Sequence, residues 1–245
     1  MNMPKGKELL ALIRKGNYAH PGEEEAIDRI LNHLKQDPHR RILDAGCGRG
    51  GTAFYMHNKG FGEVVGVDID PVSISYAISA YPDLDFFCHD LCKISALKSI
   101  TGLFDFICML TSLYAISDKH KALSELRSLV NPGAELVIFD YATMDEKPYR
   151  IPEREESDPW FPVYVPRMEE TLDESGWELL NIQDTSSDFI RWYRDLVNRI
   201  ESNREEIIRI GSEEWFAFMS SFYSGLLNAL KTKKLGGTLL KAVAA

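Results

Sequence analysis

No apolar run in the sequence approaches the ~18 residues of a membrane-spanning helix. The first residues, Met1 to Leu10, also lack the hydrophobic segment of a secretory signal. Basic residues are outnumbered, with 28 Lys and Arg against 37 Asp and Glu and a formal net charge of −9. Because phosphate binding needs a basic face, this balance argues against a nucleic-acid partner. These absences predict a cytoplasmic protein with neither a membrane nor a nucleic-acid partner.

Cysteine is scarce as well, with four residues in the chain, Cys47, Cys88, Cys92 and Cys108. His89 lies between the second and the third, but no further Cys or His pair follows at the spacing of a zinc site. We therefore predict no metal site, and we expect the thiols to be reduced.

The length of 245 residues and a hydrophobic content of 44% are typical of one globular α/β domain over residues 1–245. We predict that residues 1–38 form a helical segment, the N-terminal prelude, which lies over the sheet. We predict that residues 40–141 form a nucleotide-binding core. A proline-rich and acid-rich excursion and then a helical insertion are expected in residues 142–235. Residues 236–245 follow as a last strand.

Short apolar segments alternate with helical patterns through the core, which indicates a doubly wound parallel sheet with helices on both faces. Ligands of such sheets bind at the carboxyl ends of the strands. The segment after the first strand contains Gly46, Gly48, Gly50 and Gly51. It fits the dinucleotide pattern Gly-x-Gly-x-x-Gly and also Gly-x-Gly-x-Gly, so the glycines alone do not choose the nucleotide.

Three acidic residues at successive strand ends are more informative. Asp44 precedes the glycines, where a negative charge opposes a pyrophosphate but suits an ammonium or sulfonium group. Asp68 can accept two ribose hydroxyls of either nucleotide. Asp90 can accept from an adenine amino group, with the N–H of Leu91 facing a ring nitrogen. An adenosine with a cationic amino-acid tail satisfies all three.

The segments Leu43 to Gly50, Gly66 to Asp70, His89 to Leu91 and Asn131 to Gly133 together resemble the class I, Rossmann-like S-adenosylmethionine-dependent methyltransferases of the small-molecule type. The resemblance implies a seven-stranded, mostly parallel sheet whose last strand is antiparallel and pairs with residues 177–184. It also implies S-adenosylmethionine as cofactor, S-adenosylhomocysteine as product, and cofactor contacts at Asp44, Gly46, Gly48, Asp68, Ile69, Asp90, Leu91 and Leu110. Arg49 departs from the small or threonine residue common at its place.

The acceptor is predicted to be a small molecule. Residues Leu110 to Tyr114 do not match the Asp-Pro-Pro-Tyr type of nucleic-acid amino methylation. The C-terminal part is similar to small-molecule N-methyltransferases of glycine-like or phosphoethanolamine-like amines, which makes N-methylation the leading hypothesis. An NAD-dependent oxidoreductase and a non-catalytic cofactor-binding protein remain alternatives.

Aromatic and ionisable side chains outside the core motifs are candidates for the acceptor pocket. Tyrosine and tryptophan faces favour cationic groups, and a histidine can act as general base. The alternative for each is plain core or surface packing. The candidates are Tyr18, His20, Tyr114, Tyr141, Trp192 and Tyr193. His20 is also the candidate general base, and Tyr18 and His20 are candidates for a lid over the ligand.

Overall fold

The computed structural model describes residues 4–152 and 159–245. The strands are β1 Arg41–Ala45, β2 Glu63–Asp68, β3 Asp85–Cys88, β4 Phe104–Leu110, β5 Val130–Thr143, β6 Val163–Tyr164, β7 Trp177–Asp184 and β8 Gly236–Ala244. The sheet has the strand order β3-β2-β1-β4-β5-β8-β7, and the short strand β6 pairs with β5. All pairs are parallel except those of β8, which runs antiparallel to both β5 and β7.

This topology confirms the doubly wound, mostly parallel sheet with an antiparallel last strand. The expected seven strands become eight, because the excursion contributes β6, whose two residues are too few to show a periodicity. β5 begins at Val130 and includes the segment Asn131 to Gly133. The acid-rich part of the predicted excursion, residues 153–158, lies outside the described residues.

Nine α-helices flank the sheet in the described part of the chain. The helices are α1 Pro4–Arg14, α2 Glu23–Leu31, α3 Gly51–Asn58, α4 Pro71–Ala80, α5 Lys119–Arg127, α6 Met168–Glu174, α7 Ser186–Ser202, α8 Arg204–Ile210 and α9 Glu213–Lys231. Asp70 caps α4, since its carboxylate accepts the N–H groups of Val72 and Ser73. Gly60 follows α3 with φ 74°, the left-handed conformation expected after a helix.

Two hydrophobic cores lie on opposite faces of the sheet, because successive strand residues point to opposite sides. In β1, Ile42 packs into the core with α1, α2, α3, α7 and α9, whereas Leu43 packs into the core with α5 and α6. The aromatic stripe of α7, including Phe189 and Tyr193, is buried in the first core, as its helical spacing predicts. None of the helices in the described ranges is long and apolar enough to cross a membrane.

Candidate active site

A cavity of about 570 Å³ opens at the carboxyl ends of β1 to β4. The edge is the one at which a doubly wound sheet binds its ligands. The structure brings all but one of the residues expected to contact a cofactor to this cavity, and Asp44 is the exception. Those at the cavity are Gly46, Gly48, Asp68, Ile69, Asp90, Leu91 and Leu110.

The glycine loop is held against β2, and its glycines differ in what requires them. The N–H groups of Gly46 and Cys47 both donate to the carbonyl of Val67, at 2.7 and 3.0 Å. A Cβ on Gly46 would overlap the Ser112 side chain, and one on Gly50 would meet the Phe86 ring at 2.7 Å. Packing therefore requires glycine at both positions.

Gly48 is different, because a Cβ there would meet no atom within 4 Å. Its φ of 54° lies in the left-handed region, and the residue lines the cavity. The missing side chain leaves space for a ligand rather than for another part of the protein.

Asp68 connects the glycine loop to α4. One carboxylate oxygen accepts the N–H of Gly48 at 2.8 Å, and the other accepts the N–H of Asp70 at 2.9 Å. A carboxylate offers about four lone-pair positions, so each oxygen retains capacity for a further donor. Asp68 is thus fixed in orientation and can still accept two hydroxyls of a ligand.

Asp44 lies beneath the loop and is 2% exposed. Burial, reinforced by the charge of Asp68, raises the pKa of Asp44 to about 7, although a hydrogen bond from the Ala53 backbone opposes the rise. Its Oδ2 has no hydrogen-bond partner among the described residues. Asp44 does not line the cavity, and it can act on a ligand there through its charge.

The end of β4 shows a backbone feature that the sequence pattern did not indicate. Thr111 has φ 47°, an unfavourable conformation for a β-branched residue, and its N–H donates to the Phe139 carbonyl at 2.7 Å. Ser112 donates from Oγ to the Ala45 carbonyl at 2.7 Å. Both residues line the cavity, and they tie the end of β4 to β5 through Thr111 and to the end of β1 through Ser112.

The N-terminal prelude covers one side of the cavity. Lys7 forms an ion pair with Asp70 and a hydrogen bond of 2.6 Å to Ser73 Oγ, which joins α1 to the start of α4. Asn17 donates to the Tyr81 hydroxyl at 2.8 Å. The prelude residues at the cavity are Lys7, Leu10, Ala11, Asn17, Tyr18 and Ala19. Among them the sequence singled out Tyr18 alone.

Of the predicted acceptor residues, the structure brings Tyr18 and Tyr114 to the cavity. Asp140, within β5, holds the segment of Tyr114 in place by accepting the Tyr114 N–H at 3.1 Å. Asp140 is fully buried, and burial raises its pKa to about 7. Tyr114 also packs edge-on against Trp160 at 5.5 Å between ring centroids.

The structure does not bring His20 to the cavity. Its side chain is 2% exposed, and Nε2 lies 3.0 Å from Thr52 Oγ1. Burial lowers the pKa of His20 to about 3, against a hydrogen bond to the Pro21 carbonyl that raises it. His20 was predicted as a candidate general base, but its imidazole ring is neutral and enclosed by protein, away from the cavity.

Tyr141, Trp192 and Tyr193 also lie behind the cavity wall rather than on it. They are 8%, 5% and 1% exposed and pack with Phe139 and Phe189 in the core. Trp192 is held by a hydrogen bond of 2.9 Å from its indole N–H to Glu25. Helical spacing had identified the buried face of α7 but not which part of that face reaches the ligand.

A family model described as a methyltransferase domain matches residues 18–199. The chain belongs to the methyltransferase-domain family. This confirms the resemblance to class I S-adenosylmethionine-dependent methyltransferases and weighs against the alternative of an NAD-dependent oxidoreductase. The match includes the glycine loop, the strand ends around the cavity and α7 as far as Arg199.

Curated relatives are 23% to 29% identical to the chain over the matched regions. Phosphoethanolamine N-methyltransferase 3 of Arabidopsis thaliana is 24% identical over 211 residues, which is 80% of this chain and 41% of the relative. Phosphoethanolamine N-methyltransferase of Plasmodium falciparum is 24% identical over 244 residues, which is 94% of this chain and 88% of the relative. The chain thus spans about two fifths of the length of the plant relatives.

Among solved structures, Haemonchus contortus phosphoethanolamine N-methyltransferase 2, in complex with phosphomonomethylethanolamine and S-adenosylhomocysteine, superposes with a TM-score of 0.84 at 18% identity. The match covers 98% of this chain and 57% of that one. At this identity the likeness establishes a shared fold.

Proposed function

We propose that the chain binds S-adenosylmethionine in the cavity and transfers its methyl group to the nitrogen of a small amine. The observation that carries the cofactor assignment is the pairing of Gly48 with Asp68. Gly48 leaves its Cβ position open at the cavity, and its N–H orients a carboxylate that retains room for two donors. That arrangement is suited to a ribose with two adjacent hydroxyls.

When bound, S-adenosylmethionine supplies a methyl group on an electrophilic sulfonium. Asp68 would accept the ribose hydroxyls, with Ile69 against the adenine face. Asp90, whose Oδ1 accepts the Cys92 N–H at 2.9 Å, would accept from the adenine amino group beside Leu91. Gly46 and Leu110 would border the methionine end. Asp44, buried below them, would favour the cationic end through its charge.

The acceptor assignment is supported by the relatives, several of which are named phosphoethanolamine N-methyltransferases. The faces of Tyr18 and Tyr114 provide aromatic surface for a cationic amine. No histidine is found among the described residues that line the cavity. Holding the nucleophile in line with the sulfonium provides much of the rate of a methyl transfer, and the residues of the cavity wall would serve this role.

The proposal is tested by calorimetric titration with S-adenosylmethionine, S-adenosylhomocysteine and NADH, followed by transfer of a labelled methyl group to a panel of amines, hydroxy acids and phenols. We expect binding of the first two ligands and label in an N-methyl product. Binding of NADH alone would overturn the cofactor assignment. Binding of S-adenosylmethionine without transfer to any acceptor would favour a non-catalytic cofactor-binding protein.

A further inference from the structure

Within the described part of the chain, the charged side chains that line the cavity lie on one side of it. Two of these residues, an aspartate each, end β2 and follow β3. Lys7 forms an ion pair with Asp70 at the start of α4. The guanidinium carbon of Arg49 lies 3.5 Å from the centre of the Tyr76 ring, which belongs to α4. The charged lining residues are Lys7, Arg49, Asp68, Asp70 and Asp90.

The other side of the cavity is uncharged. The strand order places β4 across β1 from β2 and β3, and the segment after β4 lines the cavity with Tyr114, Ala115 and Ile116. We call these three residues the neutral wall. Leu10 and Ala11 of α1 add apolar side chains to the lining of the same cavity.

The backbone N–H groups of the neutral wall are already used within the protein. That of Tyr114 donates to the Asp140 carboxylate at 3.1 Å. Those of Ala115 and Ile116 donate to the carbonyls three residues earlier, at 3.2 and 3.1 Å. A backbone N–H gives one hydrogen bond, so this segment offers no backbone donor to an anionic group of a ligand.

The cation next to the wall in sequence, Lys119, is engaged elsewhere. Its ammonium donates to the carbonyls of Ile116 and Phe161 at 2.9 and 2.6 Å. Lys119 lines a second cavity, of about 530 Å³, and not the one that holds the proposed cofactor. A phosphate or carboxylate against the neutral wall would lose its hydration without gaining a cation or an N–H, whereas an apolar group gains by leaving water.

The neutral wall adjoins the place where the methyl group would lie. Leu110 ends β4 four residues before Tyr114, and both residues line the cavity. Under the proposed function Leu110 borders the methionine end of the cofactor. An acceptor whose nitrogen faces the sulfonium therefore has the rest of its structure next to Tyr114, Ala115 and Ile116.

We propose that the neutral wall is the subsite for an apolar group of the methyl acceptor. The acceptor is then an amine with an alkyl or aromatic body. In the transfer, the nitrogen lone pair forms the new N–C bond as the S–C bond breaks, and one amine proton leaves to water. The inference rests on the proposed function for the reacting nitrogen, and the subsite can be tested without methyl transfer.

The direct test is calorimetric titration of the full chain with three amines that share an aminoethyl unit, in the presence and absence of S-adenosylhomocysteine. Phenethylamine adds a phenyl ring to this unit, ethanolamine a hydroxyl and phosphoethanolamine a phosphate. We expect phenethylamine to bind ~10-fold or more tightly than ethanolamine, because its ring is buried against the wall. Phosphoethanolamine should bind no more tightly than ethanolamine.

Three results would overturn the subsite. They are no binding of phenethylamine, equal affinities for phenethylamine and ethanolamine, and binding of phosphoethanolamine as tight as that of phenethylamine. This ranking is measured on the wild type, so it decides the subsite even if a wall variant does not fold.

A polar substitution in the wall provides the second test. Ile116→Asn should reduce the preference for phenethylamine over ethanolamine ~10-fold. Ile100→Asn is the matched control, because Ile100 is a partly buried isoleucine that packs against the same core and donates its N–H three residues back, at 3.3 Å, but does not line the cavity. Ile100→Asn should retain the preference. An equal preference in folded Ile116→Asn and Ile100→Asn would overturn the subsite.

Acceptor kinetics separate this inference from the proposed function. The wild type should methylate phenethylamine with a kcat/KM ~10-fold or more above that of ethanolamine. A preference for phosphoethanolamine over phenethylamine would overturn the subsite and leave the proposed function standing, since a nitrogen is methylated in both. Tight binding of phenethylamine with no transfer to any amine would overturn the proposed function and leave the apolar subsite standing.

Discussion

Replacing Gly48 by alanine separates a glycine kept for a ligand from a glycine kept for the fold. The residue has φ 54°, and a Cβ there meets no protein atom within 4 Å. The added methyl group should therefore lower the free energy of unfolding by ~1–2 kcal/mol, the strain of an L-residue in the left-handed region. The methyl group points into open space at the cavity, where the proposed cofactor would lie.

Gly133→Ala is the matched control. Gly133 has φ 82°, again with no atom within 4 Å of its Cβ position, but it lies at the start of β5 and not at the cavity. We expect both variants to lose a similar amount of stability in denaturant unfolding. Gly50→Ala should lose more than either, because its Cβ meets the Phe86 ring at 2.7 Å.

Cofactor affinity should distinguish the two open glycines. A methyl group forced into a filled contact costs ~1–3 kcal/mol, so Gly48→Ala should bind S-adenosylmethionine roughly 10- to 100-fold more weakly than the wild type in calorimetric titration. Gly133→Ala should bind it normally. If folded Gly48→Ala binds S-adenosylmethionine within twofold of the wild type, the cofactor does not approach this part of the loop.

Three further predictions concern titratable groups. Asp68→Asn loses an acceptor for the Gly48 or the Asp70 N–H. It should bind S-adenosylmethionine ~10-fold or more weakly in calorimetric titration. Unchanged affinity would show that the ribose does not contact Asp68. The pKa of Asp44 is about 7, so a cation bound nearby at pH 7 should lower this pKa and release protons. S-Adenosylmethionine should release more protons than S-adenosylhomocysteine, whose sulfur is uncharged. Equal binding heats in buffers of different ionisation enthalpy would contradict this. The pKa of His20 in the folded chain is about 3, so between pH 6.5 and pH 3 the unfolded chain binds one more proton at this residue. The free energy of unfolding should therefore fall as the pH falls through this range, and it should fall less in His20→Asn. Matching acid unfolding curves of the two proteins would contradict this.

The sheet and its nucleotide edge could be predicted because each depends on local signals. Apolar strands closed by Asp44, Asp68 and Asp90, with glycines after the first, define the order of the elements and the edge that binds a ligand. Even so, the sequence did not distinguish Asp68, which faces the cavity, from Asp44, which is buried below it.

The rest of the site depends on contacts between distant segments. Lys7 reaches the cavity because it pairs with Asp70, 63 residues away, and no periodicity reveals such a pair. Tyr193 and Trp192 follow the buried face of α7, which predicts burial without saying what they bury against. The Thr111 N–H donates to the Phe139 carbonyl of the neighbouring strand β5, a contact between residues distant in the sequence. The residue type of Thr111 therefore gave no indication of its left-handed backbone conformation.

The proposed function requires the cavity to hold S-adenosylmethionine and to pass its methyl group to a small amine. Both requirements are tested together by one incubation with methyl-labelled S-adenosylmethionine and phosphoethanolamine, glycine and ethanolamine, read by mass spectrometry. We expect a labelled N-methyl product and an equal amount of S-adenosylhomocysteine, both strongly reduced in Gly48→Ala and unchanged in Gly133→Ala. Bound cofactor that is recovered intact, with no label on any amine, would contradict it.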